Sequence, residues 1–134
     1  NFHLSAQVKT TPGSNSGIYF HTAYQEKGWP DKGYECQVNI THKDKKKSGG
    51  LYNAQDTFEQ HAKDDEWYMQ EIIVKDKRII TKINGKVIAD YTESPETVVK
   101  NQSERRLNNG AIAIQGHDPK STVYFKDIKI KVLP

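Results

Sequence analysis

Arg78-Ile79-Ile80-Thr81-Lys82-Ile83-Asn84-Gly85-Lys86-Val87-Ile88-Ala89-Asp90-Tyr91 reads as two strands joined by a two-residue turn. Asn-Gly accepts the positive φ angles of a type I′ turn, whose twist suits the strands on either side. Both arms are rich in Ile and Val, and with the turn between them they make a strong hairpin signal. Outward from this hairpin the same signal recurs. Trp67–Val74 precedes it as a strand. Residues 93–108 are polar and turn-like, and Asn109-Gly110 opens a strand running to His117. In the last strand, Thr122–Val132, Val123 and Phe125 hold one phase while Ile128, Ile130 and Val132 hold the other. That slip predicts a β-bulge near Lys126-Asp127. Towards the N-terminus, strands are expected at 2–10, 17–23 and 34–41, with a short one at Leu51–Ala54 and a loop at 55–65. Many short strands separated by turn signals, with no helical period, imply an all-β sandwich or barrel.

The composition sets bounds on this reading. With 134 residues the chain is expected to form one domain with one core. Only 34% of residues are hydrophobic, so Tyr, Trp and Phe must supply much of the buried area. No apolar run is long enough to span a bilayer, so no membrane insertion is expected. The chain opens at Asn1-Phe2-His3-Leu4 without Met, which is expected of a processed or trimmed boundary. The single Cys36 excludes an intrachain disulfide and suits a core position. Lys43-Asp44-Lys45-Lys46-Lys47 carries no interleaved aromatics, so it reads as a solvated loop, and no nucleic-acid partner is expected.

Three strands carry polar chemistry on one face. Side chains alternate along a strand with period two. In 34–40, Tyr34, Cys36, Val38 and Ile40 share one face, leaving Glu35, Gln37 and Asn39 on the other. In 111–117, Ile112 and Ile114 point one way, while Ala111, Ala113, Gln115 and His117 point the other. Small residues beside Gln and His suggest the floor of a polar pocket. Its candidates are Glu35, Gln37, Gln115 and His117, with His21 and Asn15 at the rim. The blander readings are an exposed sheet face for Glu35 and Gln37, and a structural His-Asp-Pro turn for His117. Trp29 is either an aromatic stacking platform or a plug under a loop, and Trp67 is expected in the core. The five histidines show no close zinc-type spacing. No cofactor is certain, and a divalent metal ion held by His117 and Glu35 from distant strands stays open.

Gly13-Ser14-Asn15-Ser16-Gly17-Ile18-Tyr19-Phe20, Gly33-Tyr34-Glu35-Cys36-Gln37-Val38, the Trp67 strand, Asn84-Gly85, Ile114-Gln115-Gly116-His117-Asp118-Pro119 and Val123-Tyr124-Phe125-Lys126-Asp127-Ile128 occur in that order. The ordered set resembles the bacterial 3-keto-disaccharide hydrolase (3-keto-glycoside 1,2-lyase/hydratase) domain family across the whole chain. The resemblance implies a concanavalin A-like jelly-roll β-sandwich of two antiparallel sheets, export to the periplasm or cell surface, and a carbohydrate substrate. It also implies an upstream glycoside 3-dehydrogenase that makes the ketone. Family members begin with further N-terminal strands, so the domain 1–134 is expected to lack them. Many also carry Arg where this chain has His21, which leaves the cationic anchor weakened or replaced.

The implied chemistry is elimination from a glycoside oxidised at C3, then hydration of the 2-hydroxy-glucal. It needs a base, an acid for the leaving group, and donors for the enolate oxygen. His117 suits the base and Glu35 the acid or second base, with Asn15, His21, Trp29, Gln37 and Gln115 binding substrate. A non-catalytic glycan-binding module of the same fold is the alternative. A two-carboxylate glycosidase is disfavoured, because Gln37 and Asn39 stand where acids would be needed.

Overall fold

The structure is a computed structural model that describes residues 1–96 and 105–134. The expected polar stretch 93–108 therefore lies partly outside the described residues. Eight strands form: β1 (Phe2–Thr10), β2 (Asn15–Thr22), β3 (Tyr34–Asn39), β4 (Tyr68–Lys75), β5 (Arg78–Ile83), β6 (Lys86–Thr92), β7 (Ala111–Ile114) and β8 (Val123–Val132). They make two antiparallel sheets, a five-stranded one in the order β6-β5-β4-β1-β8 and a three-stranded one in the order β3-β2-β7. The sheets stack as a β-sandwich. Phe2, Leu4, Ala6 and Val8 of β1 meet Ile18, Phe20, Tyr34, Cys36 and Val38 in one apolar core.

Asn84-Gly85 forms the hairpin turn with φ of 48° and 81°. The bulge lies where the alternation slips: β1–β8 pairing jumps between Ser5 and Gln7, and Asp127 has φ 50°. Leu51–Ala54 does not form a regular strand. The chain over 48–52 instead lies along β3, held by Ser48 N–H to Asn39 O, Gly49 N–H to Gln37 O and Tyr52 N–H to Glu35 O at 2.8–3.0 Å. This loop makes β3 buried on both faces, so Glu35, Gln37 and Asn39 are not residues of an exposed sheet. The run 43–47 is less solvated than expected. Lys47 Nζ donates to the carbonyls of His42 and Asp44 at 2.8 Å, and Lys46 is half-buried. Trp67 is not in the core. It precedes buried Tyr68, so alternation turns it outward, where the Lys9 and Lys126 ammonium groups sit 5.0 and 4.1 Å from its ring.

At one side the inner faces stand open. Ile130 and Val132 of β8 pair with Leu4 and Phe2 and share their inward face, yet are 54% and 80% exposed. Ile112 and Ile114 of β7 are exposed on the same inward side as Ile18.

Gly33 shows how tightly β3 is entered. Its φ is 72°, and a Cβ there would overlap the carbonyl groups of Phe20 and His21. Backbone cannot yield as a side-chain tip can, so Gly33→Ala is expected to destabilise by about 3 kcal/mol or more. Urea unfolding of the variant beside wild type measures this.

Candidate functional site

One face of the three-stranded sheet builds a polar cleft. Asn15, Gly17 and Tyr19 alternate along β2, and register places Gly17 opposite Gln37 and Tyr19 opposite Glu35. On the other side of β2 the Gln115 N–H donates to Gly17 O at 2.9 Å. Gly17 is thus the floor between two glutamines. A Cβ at Gly17 would overlap Glu35 Oε1, so the carboxyl group lies directly over the bare backbone. The cleft encloses about 380 Å³ of space, open solvent included. Asn15, Trp29, Gln37, Gln115 and His117 line it with Glu35.

Six of the seven residues singled out from sequence meet there. His21 does not. Its φ of 53° interrupts the strand, and β2–β7 pairing slips between Tyr19 and Thr22. The ring therefore leaves the expected face, packs on Phe2 and Phe20, and bonds the Asn108 carbonyl through Nδ1. Trp29 proves to be a wall and not a buried plug. It is 55% exposed and stacks on the His117 ring at 5.5 Å and 14°. The Gln25 side chain braces its loop by donating to the carbonyls of Lys27 and Trp29.

Tyr19, Asp44, Tyr52 and Arg105 complete the cleft. Tyr19 shares its phase with Asn15 and Gly17, so alternation could have found it. Arg105 and Asp44 come from irregular segments without period. Arg105 is buried, its guanidinium 5.8 Å from the Tyr19 ring and directed at the carbonyls of Lys32 and Gly33. It brings a cation to the cleft that His21 does not supply.

Burial pushes the Glu35 carboxyl up to about 7, against the opposing pull of Arg105 and the Tyr19 hydroxyl bond. Burial and the Glu35 charge raise the Tyr19 phenol well above its ordinary range. Tyr19 thus donates to Glu35 and accepts from Gln115 Nε2 at 2.8 Å. At the other wall His117 Nδ1 lies 2.7 Å from Asp118 Oδ2. Bonds from His117 and Ser121 hold the Asp118 carboxyl well below the usual carboxylate range. An ionised Asp118 can only accept, so Nδ1 carries the proton and Nε2 of neutral His117 keeps a lone pair.

The same logic fixes three amides. His42 Nδ1 accepts the Asp44 N–H at 3.0 Å, so the Asn15 group facing it at 3.3 Å is the NH2. Gln37 Nε2 donates to Lys46 O. Gln115 Nε2 is committed to Tyr19. Asn15 Oδ1, Gln37 Oε1 and Gln115 Oε1 are left as buried acceptors without a protein partner.

Among the described residues, His42, His117 and Asp118 bring ligand atoms within 4.8 Å of one another. A cation there would take His117 Nε2, whose ring Asp118 orients through Nδ1. His42 Nδ1 accepts the Asp44 N–H, and Asp118 accepts from His117, Ser121 and Lys120. Glu35 is not part of that group.

Residues 1–131 match the profile of the 3-keto-alpha-glucoside-1,2-lyase-like domain. No curated protein shows significant similarity. Two crystal structures of candidate glycosyl hydrolases from Parabacteroides distasonis share the architecture. The first has a TM-score of 0.81 at 21% identity, covering 100% of this chain and 72% of that one. The second has a TM-score of 0.75 at 23% identity, covering 99% and 78%. At such identity the likeness speaks to the fold alone, whereas the profile spans nearly the whole chain. The chain belongs to the 3-keto-alpha-glucoside-1,2-lyase-like domain family.

Proposed function

We propose that this domain acts on glycosides oxidised at C3, cleaving the C1–O bond by elimination or hydrating the 2-hydroxy-glucal product. The observation that carries the reading is a titratable pair, Glu35 and His117, in one cleft whose other walls carry the amides of Asn15, Gln37 and Gln115. A sugar ring supplies the matching hydroxyl donors. Family membership supports the substrate class.

In this scheme His117 Nε2 takes the C2 proton, made acidic by the C3 ketone. The electron pair forms the enolate, and the Arg105 cation and Tyr19 region favour charge in the cleft. As the C3 carbonyl reforms, C1=C2 forms and the C1–O bond breaks. Glu35, part protonated near neutrality, hands its proton to the leaving oxygen. Asp118 holds His117 in the required tautomer. Asp118→Asn is expected to lower kcat by about 10²-fold with KM nearly unchanged. Steady-state kinetics reads both. A periplasmic or cell-surface location, downstream of a dehydrogenase that makes the ketone, is part of the same proposal.

The direct test uses a 3-keto-glucoside with a chromogenic leaving group beside the unoxidised glucoside. Release from the keto substrate alone is expected. Release from both would instead favour a glycosidase using Glu35 and Asp44. Release from neither, with sugar binding intact, would favour a glycan-binding module.

A further inference from the structure

We infer that the outer face of the five-stranded sheet docks an anionic polysaccharide. Alternation and register place Lys9, Lys75, Lys82, Lys126, Lys129 and Lys131 on this face: Lys131 opposite His3, Lys129 opposite Ser5, Lys126 opposite Gln7, and Lys82 opposite Glu71. Two of the local acids are already taken. Glu71 bonds His3 at 2.7 Å, and Asp90 holds Arg78 at 2.6 Å. No carboxylate pairs with any of the six lysines among the described residues. The face therefore carries more positive charge than the whole chain, whose net charge is +3. Asp127, in the bulge of β8, is the one acid within the lysine row of that strand.

Such a field attracts a polyanion, and the bound polymer releases counterions. The form of the patch selects among polyanions. Lys126, Lys129 and Lys131 follow one strand, so their charges lie along a line, which suits a linear chain carrying a charge on each sugar or every second one. Nucleic-acid platforms offer free aromatic faces for bases. Here the two exposed aromatics are engaged by ammonium groups: Lys9 lies 5.0 Å from both Trp67 and Tyr124, and Lys126 lies 4.1 Å from Trp67. A membrane surface site couples its basic residues to a continuous apolar face that dips into the lipid, whereas here Glu71 separates Met69 from Ile73 and Lys82 separates Ile80 from the hairpin end. The inference builds on the reading of the cleft as a glycoside site. The cleft lies on the other sheet, so a polymer held behind leaves it open.

The test is affinity electrophoresis of the whole chain in gels containing polygalacturonate, dextran or no polymer. A DNA duplex and phosphatidylserine vesicles serve as competitors. Retardation by polygalacturonate alone, weakened by added salt, is expected. The exposed triple variant Lys126→Glu/Lys129→Glu/Lys131→Glu should weaken it by about tenfold or more. Lys82→Glu, away from β8, serves as a second variant and should weaken it by less. Glu35→Gln should bind the polymer as wild type does, which separates this surface from the cleft. Equal retardation by dextran, displacement by DNA or vesicles at lower charge concentration than polygalacturonate, or unchanged binding by both folded lysine variants would overturn the inference.

Discussion

Glu35→Gln is expected to cut turnover of a 3-keto-glucoside by about 10³-fold and yet to raise stability at alkaline pH. Both effects have one cause. Burial raises the Glu35 carboxyl from an ordinary value of 4.5 to about 7. Between those values the folded protein keeps a proton that the unfolded chain has released, so stability falls as pH rises. The favourable contribution is whole below about pH 4.5, is lost as pH climbs through 7, and stays lost above it. The scale is about 3 kcal/mol at most. Gln keeps the shape but has no charge to bury. The variant should therefore match wild type near pH 4.5 and exceed it by about 2 kcal/mol near pH 8. Urea unfolding of both proteins at the two pH values measures this. Equal differences at both would show that the Glu35 charge is not buried in the folded state.

Gly17→Ala is expected to abolish most activity with a modest effect on stability. The added methyl meets the Glu35 carboxyl, not backbone. A carboxyl tip can swing aside, so the fold survives at a cost of about 1–3 kcal/mol. The displaced acid leaves both its bond from Tyr19 and its place in the cleft. A misplacement of this size costs about 10²-fold or more in kcat. Kinetics at saturating substrate, with melting as control, separates the two effects. Wild-type turnover from a folded Gly17→Ala protein would remove Glu35 from the chemistry.

The two predictions also show what was legible from sequence. Glu35, Gln37, Gln115 and His117 share a face because alternation is a local rule, and register then brings β3 and β7 to either side of β2. The Asn84-Gly85 turn and the bulge at Asp127 are local for the same reason. His21 failed because one left-handed residue rotates the chain off its period, and a bulky ring gave no warning of it. Trp67 failed on phase: its neighbour Tyr68 holds the inward position. Arg105 and Asp44 could not be read at all. They reach the cleft from irregular segments, and only the folded arrangement brings them beside Glu35. Nor could the loop over β3 be foreseen, since its hydrogen bonds run backbone to backbone and leave no side-chain period to read.

The open side of the sandwich has a colloidal consequence. β8 is an edge strand with apolar residues on its inward row and lysines on its outward row. Bare edges invite another copy to add a strand, and lysines act as gatekeepers against it by mutual repulsion. That repulsion is screened within about 8–10 Å at moderate salt. The ionic strength that strips a polyanion from the back of the sheet is thus also the one that lets molecules of this protein approach edge to edge. Its solubility should fall, not rise, as salt is added.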